Sequence, residues 1–230
     1  DQTSSASDFS SAASSLIEEI VSRNRVPIVV GGSGFYLEAL FEGLSPIPDV
    51  PDDVRAAVQD QVSADPESAH QELVRLDPVA ASRVTSADPQ RVARALEVFK
   101  TTGKTLSDFQ SLPRVPGTSR PSIQFGLTWE RECLYERINL RTHQMIDDGL
   151  VDEVGELLER GYHRETYALK TFGYREIGAV LSDEMQLDDA VLAIQTGTRR
   201  YAKRQFTWVR NRSNLRWLAC PDVDPLEEIL

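Results

Sequence analysis

The sequence predicts an α/β fold built on a parallel sheet, and three patterns predict it. A β-branched run at 26–30 leads directly into a glycine turn at 31–34 and a helical pattern at 35–44, which together form half of a β-α-β unit. Two further strand patterns follow at 123–129 and 216–218. At 230 residues with 40% hydrophobic composition, the chain suits one large α/β domain, or a core with a smaller appendage.

Helical periodicity fills most of the remaining chain. The helical patterns cover 9–20, 35–44, 52–110, 130–160, 173–181 and 188–210. Ser7 or Asp8 suits the N-cap of the first helix, and Asp52-Asp53 marks the start of a later one. Asp88-Pro89 starts another helix with proline at its first position. The helical pattern at 130–160 predicts one long amphipathic stretch.

Two proline-rich connections divide the chain. They lie near 46–51 and 112–121, and the segment between them carries no strand pattern. We therefore expect a helical insertion domain at 46–121, within an α/β core formed by 1–45 and 122–230. The C-terminal half of that core is predicted to be largely helical.

Composition excludes several classes of protein. No apolar run is long enough to span a bilayer, and the polar Ser/Ala start lacks the pattern of a secretory signal. Cys133 and Cys220 match no disulfide framework or metal-binding spacing, and the three histidines show no ligand spacing. These features predict a cytoplasmic protein without a membrane partner and without a metal site among its own residues.

The net charge of −11 argues at first against a nucleic-acid partner. The charge is unevenly distributed, however, because 199–217 contains seven basic residues and no acidic one. Five of these cations fall on one helical face: Arg199, Arg200, Lys203, Arg204 and Arg210. No carboxylate three or four positions away neutralises them, so phosphate is the expected counter-ion. The alternative is a solvated face that pairs with the acidic remainder of the chain.

Three other groups of residues are weaker candidates. Gly31-Gly32-Ser33-Gly34 could present backbone amides and one hydroxyl to an anion, with a purely structural turn as the equal alternative. Arg91 and Arg94, beside Gln90, could grip a nucleic-acid backbone. Arg137 and Arg141 could form a fork for a diphosphate. For both arginine pairs, taken alone, a structural or solubilising role is favoured.

Several motifs resemble, in order, those of one known family. Residues 30–36, VGGSGFY, resemble the V-G-G-T-x-x-Y motif of bacterial tRNA dimethylallyltransferases, also called tRNA isopentenyltransferases. Further segments resemble the same family in order: 39–44, 77–81, 88–99, 101–106, 137–154, 172–175 and 202–208. The resemblance covers almost the whole chain.

This resemblance implies an enzyme that transfers a dimethylallyl group from dimethylallyl diphosphate. The acceptor is the exocyclic amine of the adenine 3′ of the anticodon, in tRNAs that read codons beginning with U. The resemblance also implies a P-loop-type nucleotide-binding (ATP-binding) core, an insertion that grips the anticodon stem-loop, and Mg²⁺ as the cofactor. We expect a monomer.

The resemblance assigns roles by motif. Ser33 takes the catalytic threonine position, and Gly31, Gly32 and Arg141 take diphosphate-binding positions. The tRNA-binding positions are Arg55, Gln90, Arg91, Arg94, Lys170, Gly173, Tyr174, Arg175, Lys203, Arg204, Gln205, Thr207, Trp208 and Arg210. Serine in place of threonine keeps the hydroxyl and loses a methyl group, so we expect the hydrogen bond to survive with looser positioning.

Three further expectations concern the whole protein. The sequence contains no G-x-x-x-x-G-K-S/T loop, so we expect the phosphate loop and the general-base aspartate to lie upstream. The 230 residues alone are then expected to be inactive in transfer. Two alternatives stay open: an enzyme that prenylates free adenine nucleotides, and a non-catalytic RNA-binding relative.

Overall fold

A computed structural model describes residues 5–212 and 215–220 of the chain. The chain forms two compact units. The sheet unit contains Ile28–Gly34 and the chain from Arg120 onward, and the helical unit contains Ala6–Pro27 and Phe35–Ser119. The division after Ser119 lies close to a predicted domain boundary, but 6–27 and 35–45 group with the helices rather than with the sheet. The predicted domain boundaries themselves, which extend into residues outside the described ones, stay a prediction.

The helical unit confirms the helices predicted at 9–20 and 35–44 and the short helices predicted within 52–110. They are α1 (Ala6–Ser22), α2 (Gly34–Phe41, with its first residue in the sheet unit), α3 (Asp52–Ala64), α4 (Pro66–Leu76), α5 (Pro78–Ala81), α6 (Pro89–Thr102) and α7 (Leu106–Gln110). The first begins at Ala6, ahead of the expected caps Ser7 and Asp8. Helices α3, α4 and α6 enclose the core of this unit, where Val58, Leu73 and Leu96 are at most 1% exposed.

Three helices of this unit begin in the same way. Asp65, Asp77 and Asp88 each precede a proline and accept a hydrogen bond from the backbone N–H three residues later. The carboxylate satisfies a donor that the helix leaves unpaired, and proline fits the first position because its missing N–H is not needed there. The predicted start at Asp88-Pro89 is confirmed.

Asp77 does more than cap a helix. It is 4% exposed, and beyond Ala80 N–H it accepts bonds from the Ser107 hydroxyl at 2.7 Å and the Ser107 N–H at 3.0 Å. Burial raises the pKa of Asp77, but the hydrogen bonds from Ala80 and Ser107 outweigh burial and hold that pKa below its ordinary value. A single carboxylate therefore joins the start of α5 to the start of α7.

The sheet unit contains two parallel strands, β1 (Gln124–Trp129) and β2 (Leu215–Cys220), in a register that pairs Gly126 with Trp217. They confirm the strands predicted at 123–129 and 216–218. The helices of this unit are α8 (Arg131–Asp147), α9 (Leu150–Glu159), α10 (Tyr174–Leu181) and α11 (Leu187–Arg210), with a short 3-10 helix at Tyr167–Lys170. The helices predicted at 173–181 and 188–210 are confirmed.

The prediction of one long amphipathic helical stretch at 130–160 was wrong about its continuity. The chain turns at Gly149, where φ is +100°, and α8 and α9 are separate helices. Glycine adopts this left-handed conformation without steric cost. The break lets α9 pack with α10 and α11 around Val154, Ile177 and Ile194, which are at most 2% exposed.

The strand predicted at 26–30 was also wrong. This segment has no strand pairing, and Val26, Ile28 and Val30 are 84%, 68% and 90% exposed. A strand needs a hydrogen-bonding neighbour, and among the described residues the only sheet pairs β1 with β2. A β-branched composition supplies propensity but not a partner.

Candidate functional site

The glycine turn at 31–34 lies against helix α11. Gln205 Nε2 donates a 2.9 Å hydrogen bond to the Gly32 carbonyl oxygen. A Cβ atom at Gly32 would lie 1.9 Å from Gln205 Nε2, and one at Gly34 would lie 2.4 Å from the Trp208 indole. Gly34 therefore packs against a rigid ring that a side chain at this position would collide with, whereas a side chain at Gly32 would displace the flexible amide of Gln205. Ser33 lies between them and is exposed.

The turn leaves its other groups accessible. A Cβ atom at Gly31 would meet nothing within 4 Å, and Ser33 presents its hydroxyl next to it. The Ser33 hydroxyl and the backbone N–H groups of 31–34 can donate hydrogen bonds to an anion. The predicted catalytic role of Ser33, and the diphosphate-binding roles of Gly31 and Gly32, stay predictions that this geometry permits.

Helix α11 carries four exposed cations, which we call the α11 cationic face: Arg200, Lys203, Arg204 and Arg210. None of the four forms an ion pair with any carboxylate in 5–212 or 215–220. The alternative of a solvated face that pairs with the acidic remainder of the chain therefore has no ion pair to support it among these residues. Like charges so close together repel one another, and phosphate groups relieve that repulsion.

Arg199 does not belong to this face, so its predicted place there was wrong. Its side chain is half-buried, its Nη2 donates to Asn139 Oδ1 at 2.6 Å, and its guanidinium lies 5.1 Å from the centre of the Tyr135 ring. A helical projection placed Arg199 beside Arg200, but its contacts with Asn139 and Tyr135 of α8 half-bury it. Arg199 links two helices instead.

Aromatic rings accompany the cationic face. The guanidinium of Arg204 lies 5.7 Å from the centre of the Tyr201 ring, and that of Arg210 lies 6.0 Å from the centre of the Phe206 ring. The hydroxyl of Thr207, exposed between them, donates to the Lys203 carbonyl oxygen at 3.0 Å. From Arg200 to Arg210 the face extends about 15 Å along the helix, which is long enough to follow several phosphates of a nucleic-acid strand.

The predicted tRNA-contact segment at 170–175 is held by carboxylates. Lys170 Nζ lies 2.7 Å from a carboxylate oxygen of Glu165. Gly173, with φ of +97°, donates its N–H to Glu176 Oε2 at 2.9 Å, and the Arg175 guanidinium contacts the other oxygen of the same carboxylate. Glu176 is 3% exposed. This buried carboxylate, which the sequence analysis missed, fixes the segment. A G-x-x-E pattern at a helix start was the available signal.

A small cavity of about 230 Å³ borders the same segment. It is lined by Val154, Leu158, Arg164, Glu165, Leu169, Lys170, Tyr174, Arg175 and Gly178. The Tyr174 hydroxyl donates to Glu153 at 2.6 Å, and this hydrogen bond, with partial burial, raises the pKa of Tyr174. The structure thus brings Lys170, Tyr174 and Arg175 together around one opening.

Arg141, the predicted diphosphate ligand, is exposed on α8. No hydrogen bond or ion pair between described residues joins it to the glycine turn. Arg137, one turn earlier, lies over the ring of Trp129. Both arginines of the predicted fork are therefore exposed, and Arg137 also contacts an aromatic ring.

Four predicted tRNA contacts lie in the helical unit: Arg55, Gln90, Arg91 and Arg94. Arg55 and Arg91 are exposed, each 3.4 Å from an aspartate three positions earlier. Exposed ion pairs of this kind contribute little to the free energy of folding, so each arginine can readily exchange its aspartate for another anion. Arg94 instead pairs at 3.6 Å with Glu97, whose side chain is 7% exposed, so its role includes neutralising a buried carboxylate.

The described residues contain neither a metal-binding cluster nor a membrane-spanning helix. No three His, Cys, Asp or Glu side chains in that part of the chain come together as a metal-binding group. None of the described helices has the length and hydropathy that a membrane-spanning segment requires.

The sequence and the structure of this chain resemble those of known proteins. Residues 1–212 match the family model described as IPP transferase. The tRNA dimethylallyltransferase of Geobacter sulfurreducens is 41% identical over 94% of this chain and 70% of its own length, and that of Geobacter metallireducens is 43% identical over the same shares. The crystal structure of the tRNA isopentenylpyrophosphate transferase of Bacillus halodurans superposes with a TM-score of 0.64 at 35% identity, covering 99% of this chain and 71% of that one. This chain belongs to the IPP transferase family.

Proposed function

We propose that this chain acts in tRNA modification, by transfer of a dimethylallyl group from dimethylallyl diphosphate to tRNA. The acceptor is the exocyclic amine of the adenine 3′ of the anticodon, in tRNAs that read codons beginning with U. Membership of the IPP transferase family and the names of the relatives support this activity. One observation supports tRNA as the substrate. An acidic chain with a net charge of −11 keeps four exposed cations on one helix without an ion-paired carboxylate among the described residues.

The physical reason is the cost of clustering like charges. A protein that only needed solubility would intersperse acidic residues along α11, as its first turn does with Asp188 and Asp189. The unpaired cations of the α11 cationic face are stabilised when phosphates replace mobile counter-ions, and release of those ions favours binding. Neighbouring aromatic side chains such as Tyr201 add surfaces on which an unpaired base can stack.

The transfer exchanges a carbon–oxygen bond for a carbon–nitrogen bond and moves one proton. The amine nitrogen bonds to the first carbon of the dimethylallyl group, the carbon–oxygen bond to diphosphate breaks, and the amine loses a proton to a base. Diphosphate leaves with the bonding electron pair, so positive charge near it lowers the barrier. In this chain we assign that charge to Arg141, and hydrogen bonding at the reaction centre to Ser33.

The helical unit is proposed to hold the anticodon stem-loop. Arg55, Gln90 and Arg91 are exposed, and each can contact a phosphate or a sugar without reading sequence. The segment at 170–175 adds a second set of contacts, with its backbone already fixed by Glu176. Preorganised contacts of this kind lose less conformational entropy on binding.

Mg²⁺ remains a prediction from the family resemblance. The described residues do not form a carboxylate cluster that would hold the ion, and the steps above use only side chains of the chain itself. A monomeric, cytoplasmic protein likewise remains a prediction.

The test compares two acceptors in the full-length protein. We expect a synthetic anticodon stem-loop to gain one dimethylallyl group, detected by mass spectrometry, and a stem-loop with guanine at the target position to gain none. Transfer to free AMP but not to the stem-loop would support a nucleotide prenyltransferase instead. Binding of the stem-loop without any transfer would support a non-catalytic RNA-binding protein.

A further inference from the structure

We infer that Gln205 and Trp208 are positioning residues for the loop that carries Ser33, rather than contacts to tRNA. This inference rests on the proposed function, because Ser33 matters only if transfer occurs near it. The resemblance places both residues in a tRNA-contact segment together with Lys203 and Arg204. The structure separates the two pairs, since Lys203 and Arg204 are exposed while Gln205 and Trp208 are half-buried against the glycine turn.

The first contact is a hydrogen bond. The side-chain amide of Gln205 donates to the Gly32 carbonyl oxygen across 173 positions of sequence. Only a donor can make this bond, because a carbonyl oxygen accepts and never donates. The nitrogen lies so near the backbone that a Cβ atom at Gly32 would come within 1.9 Å of it. Glycine at 32 and glutamine at 205 therefore fit each other.

The second contact is the indole of Trp208. A Cβ atom at Gly34 would lie 2.4 to 2.8 Å from three atoms of this ring. The Arg212 guanidinium lies 3.8 Å from the centre of the same ring, a cation–π contact that restricts the orientation of the indole. The indole is thus held in a defined place, and the backbone at Gly34 packs directly onto it.

The rest of the turn is sparsely packed, so these two contacts are the main restraint on its motion. Val30 is 90% exposed, Ser33 is exposed, and a Cβ atom at Gly31 would meet nothing within 4 Å. A hydroxyl on such a loop reaches a productive position only when neighbouring contacts limit its motion. One bond on Gly32 and one ring on Gly34 flank Ser33 and provide that limit.

The first test replaces the donor without adding charge. Gln205→Met keeps the length of the side chain and removes the hydrogen bond, and Gln186→Met near the start of α11 is the matched control. We expect Gln205→Met to lower kcat for transfer about tenfold or more, with tRNA affinity within about twofold of wild type. The control should change neither quantity. Weakened tRNA binding with kcat retained would overturn the inference and return Gln205 to the tRNA contacts.

The second test uses the complementary fit. Gly34→Ala should slow transfer because the new methyl group collides with the indole, and Trp208→Ala in the same chain should restore part of the lost rate by making room. Gly32→Ala and Gln205→Ala should be non-additive, because each one removes the same hydrogen bond. Full additivity in both pairs would contradict the inference.

A readout independent of activity separates this inference from the proposed function. In NMR relaxation, the backbone order parameters of 31–34 should be lower in Gln205→Met than in wild type, while those of the remainder of α11 are unchanged. If wild-type protein transfers nothing to tRNA, the proposed function fails while this prediction stands. If the wild-type protein transfers but Gln205→Met leaves the order parameters of the loop unaltered, the positioning role fails alone.

Discussion

The guanidinium of Arg137 lies 4.4 Å from the centre of the Trp129 ring. This contact joins the start of α8 to the end of β1 and orients Arg137 across an aromatic face. Arg141, four residues later on the same helix, is exposed. Both side chains are exposed, and the ring contact of Arg137 is what distinguishes them. We therefore predict that Arg141, rather than Arg137, binds the diphosphate.

Arg141→Ala is expected to weaken dimethylallyl diphosphate binding about tenfold or more, because it removes a charge-assisted hydrogen bond to the diphosphate. Arg137→Ala is the matched comparison and should change that affinity less than threefold, while lowering the free energy of unfolding by about 0.5–1 kcal/mol through loss of its ring contact. Titration with the diphosphate and chemical denaturation measure the two effects. The reverse order of affinities would reassign the diphosphate to Arg137.

Ser33→Ala should slow transfer and leave tRNA affinity unchanged, because it removes a hydroxyl at the reaction centre and none of the phosphate contacts. Ser33→Thr restores the family residue, and we expect it to transfer at least as fast as wild type since the added methyl group limits rotation of the side chain. Single-turnover rates with enzyme in excess over tRNA measure transfer by both variants, and titration with tRNA measures their affinity. Unchanged turnover in Ser33→Ala would make the glycine turn purely structural.

Asp77→Asn should destabilise the helical unit in a pH-dependent way. The pKa of Asp77 is held below its unfolded value, so the stabilisation is present above about pH 4 and is lost as pH falls through the lowered folded-state pKa. At pH 7 we expect a loss of about 1–2 kcal/mol in the free energy of unfolding, shrinking toward pH 2. Denaturation of wild type and variant at several pH values checks this. Asp60→Asn on the exposed side of α3 serves as control. A loss that does not vary with pH would contradict the assignment.

Local patterns predicted most helices and both observed strands. The helix starting at Asp88-Pro89 follows from the chemistry of its own first turn, so no tertiary information is needed. The break at Gly149 could not be predicted from local sequence. Glycine inside a helix costs only about 1 kcal/mol relative to alanine, so a glycine in a helical pattern can lie either within a helix or between two helices. The run at 26–30 has the composition of a strand, but a strand also requires a neighbour that local sequence does not specify.

Some features of the candidate site could likewise be predicted from local sequence, and others could not. The density of cations near Lys203 and Arg204 was readable from the sequence because a helical projection uses only spacing. The position of Arg199 was not, since its partner Asn139 is 60 residues away. The contact of Gln205 with Gly32 spans still more of the chain, so only the structure could show that these residues meet.

We propose above all that the α11 cationic face binds tRNA phosphates. The most direct measurement is the salt dependence of anticodon stem-loop binding by the Lys203→Ala/Arg204→Ala variant. Arg160→Ala is the control, an exposed cation that pairs with Glu156 at 3.2 Å. We expect weaker binding by the double variant, a decrease of about two in the slope of log K against log salt, and nearly unchanged affinity for dimethylallyl diphosphate. The control should keep the wild-type slope. An unaltered slope in the double variant, or equal loss of affinity for both ligands, would contradict the account.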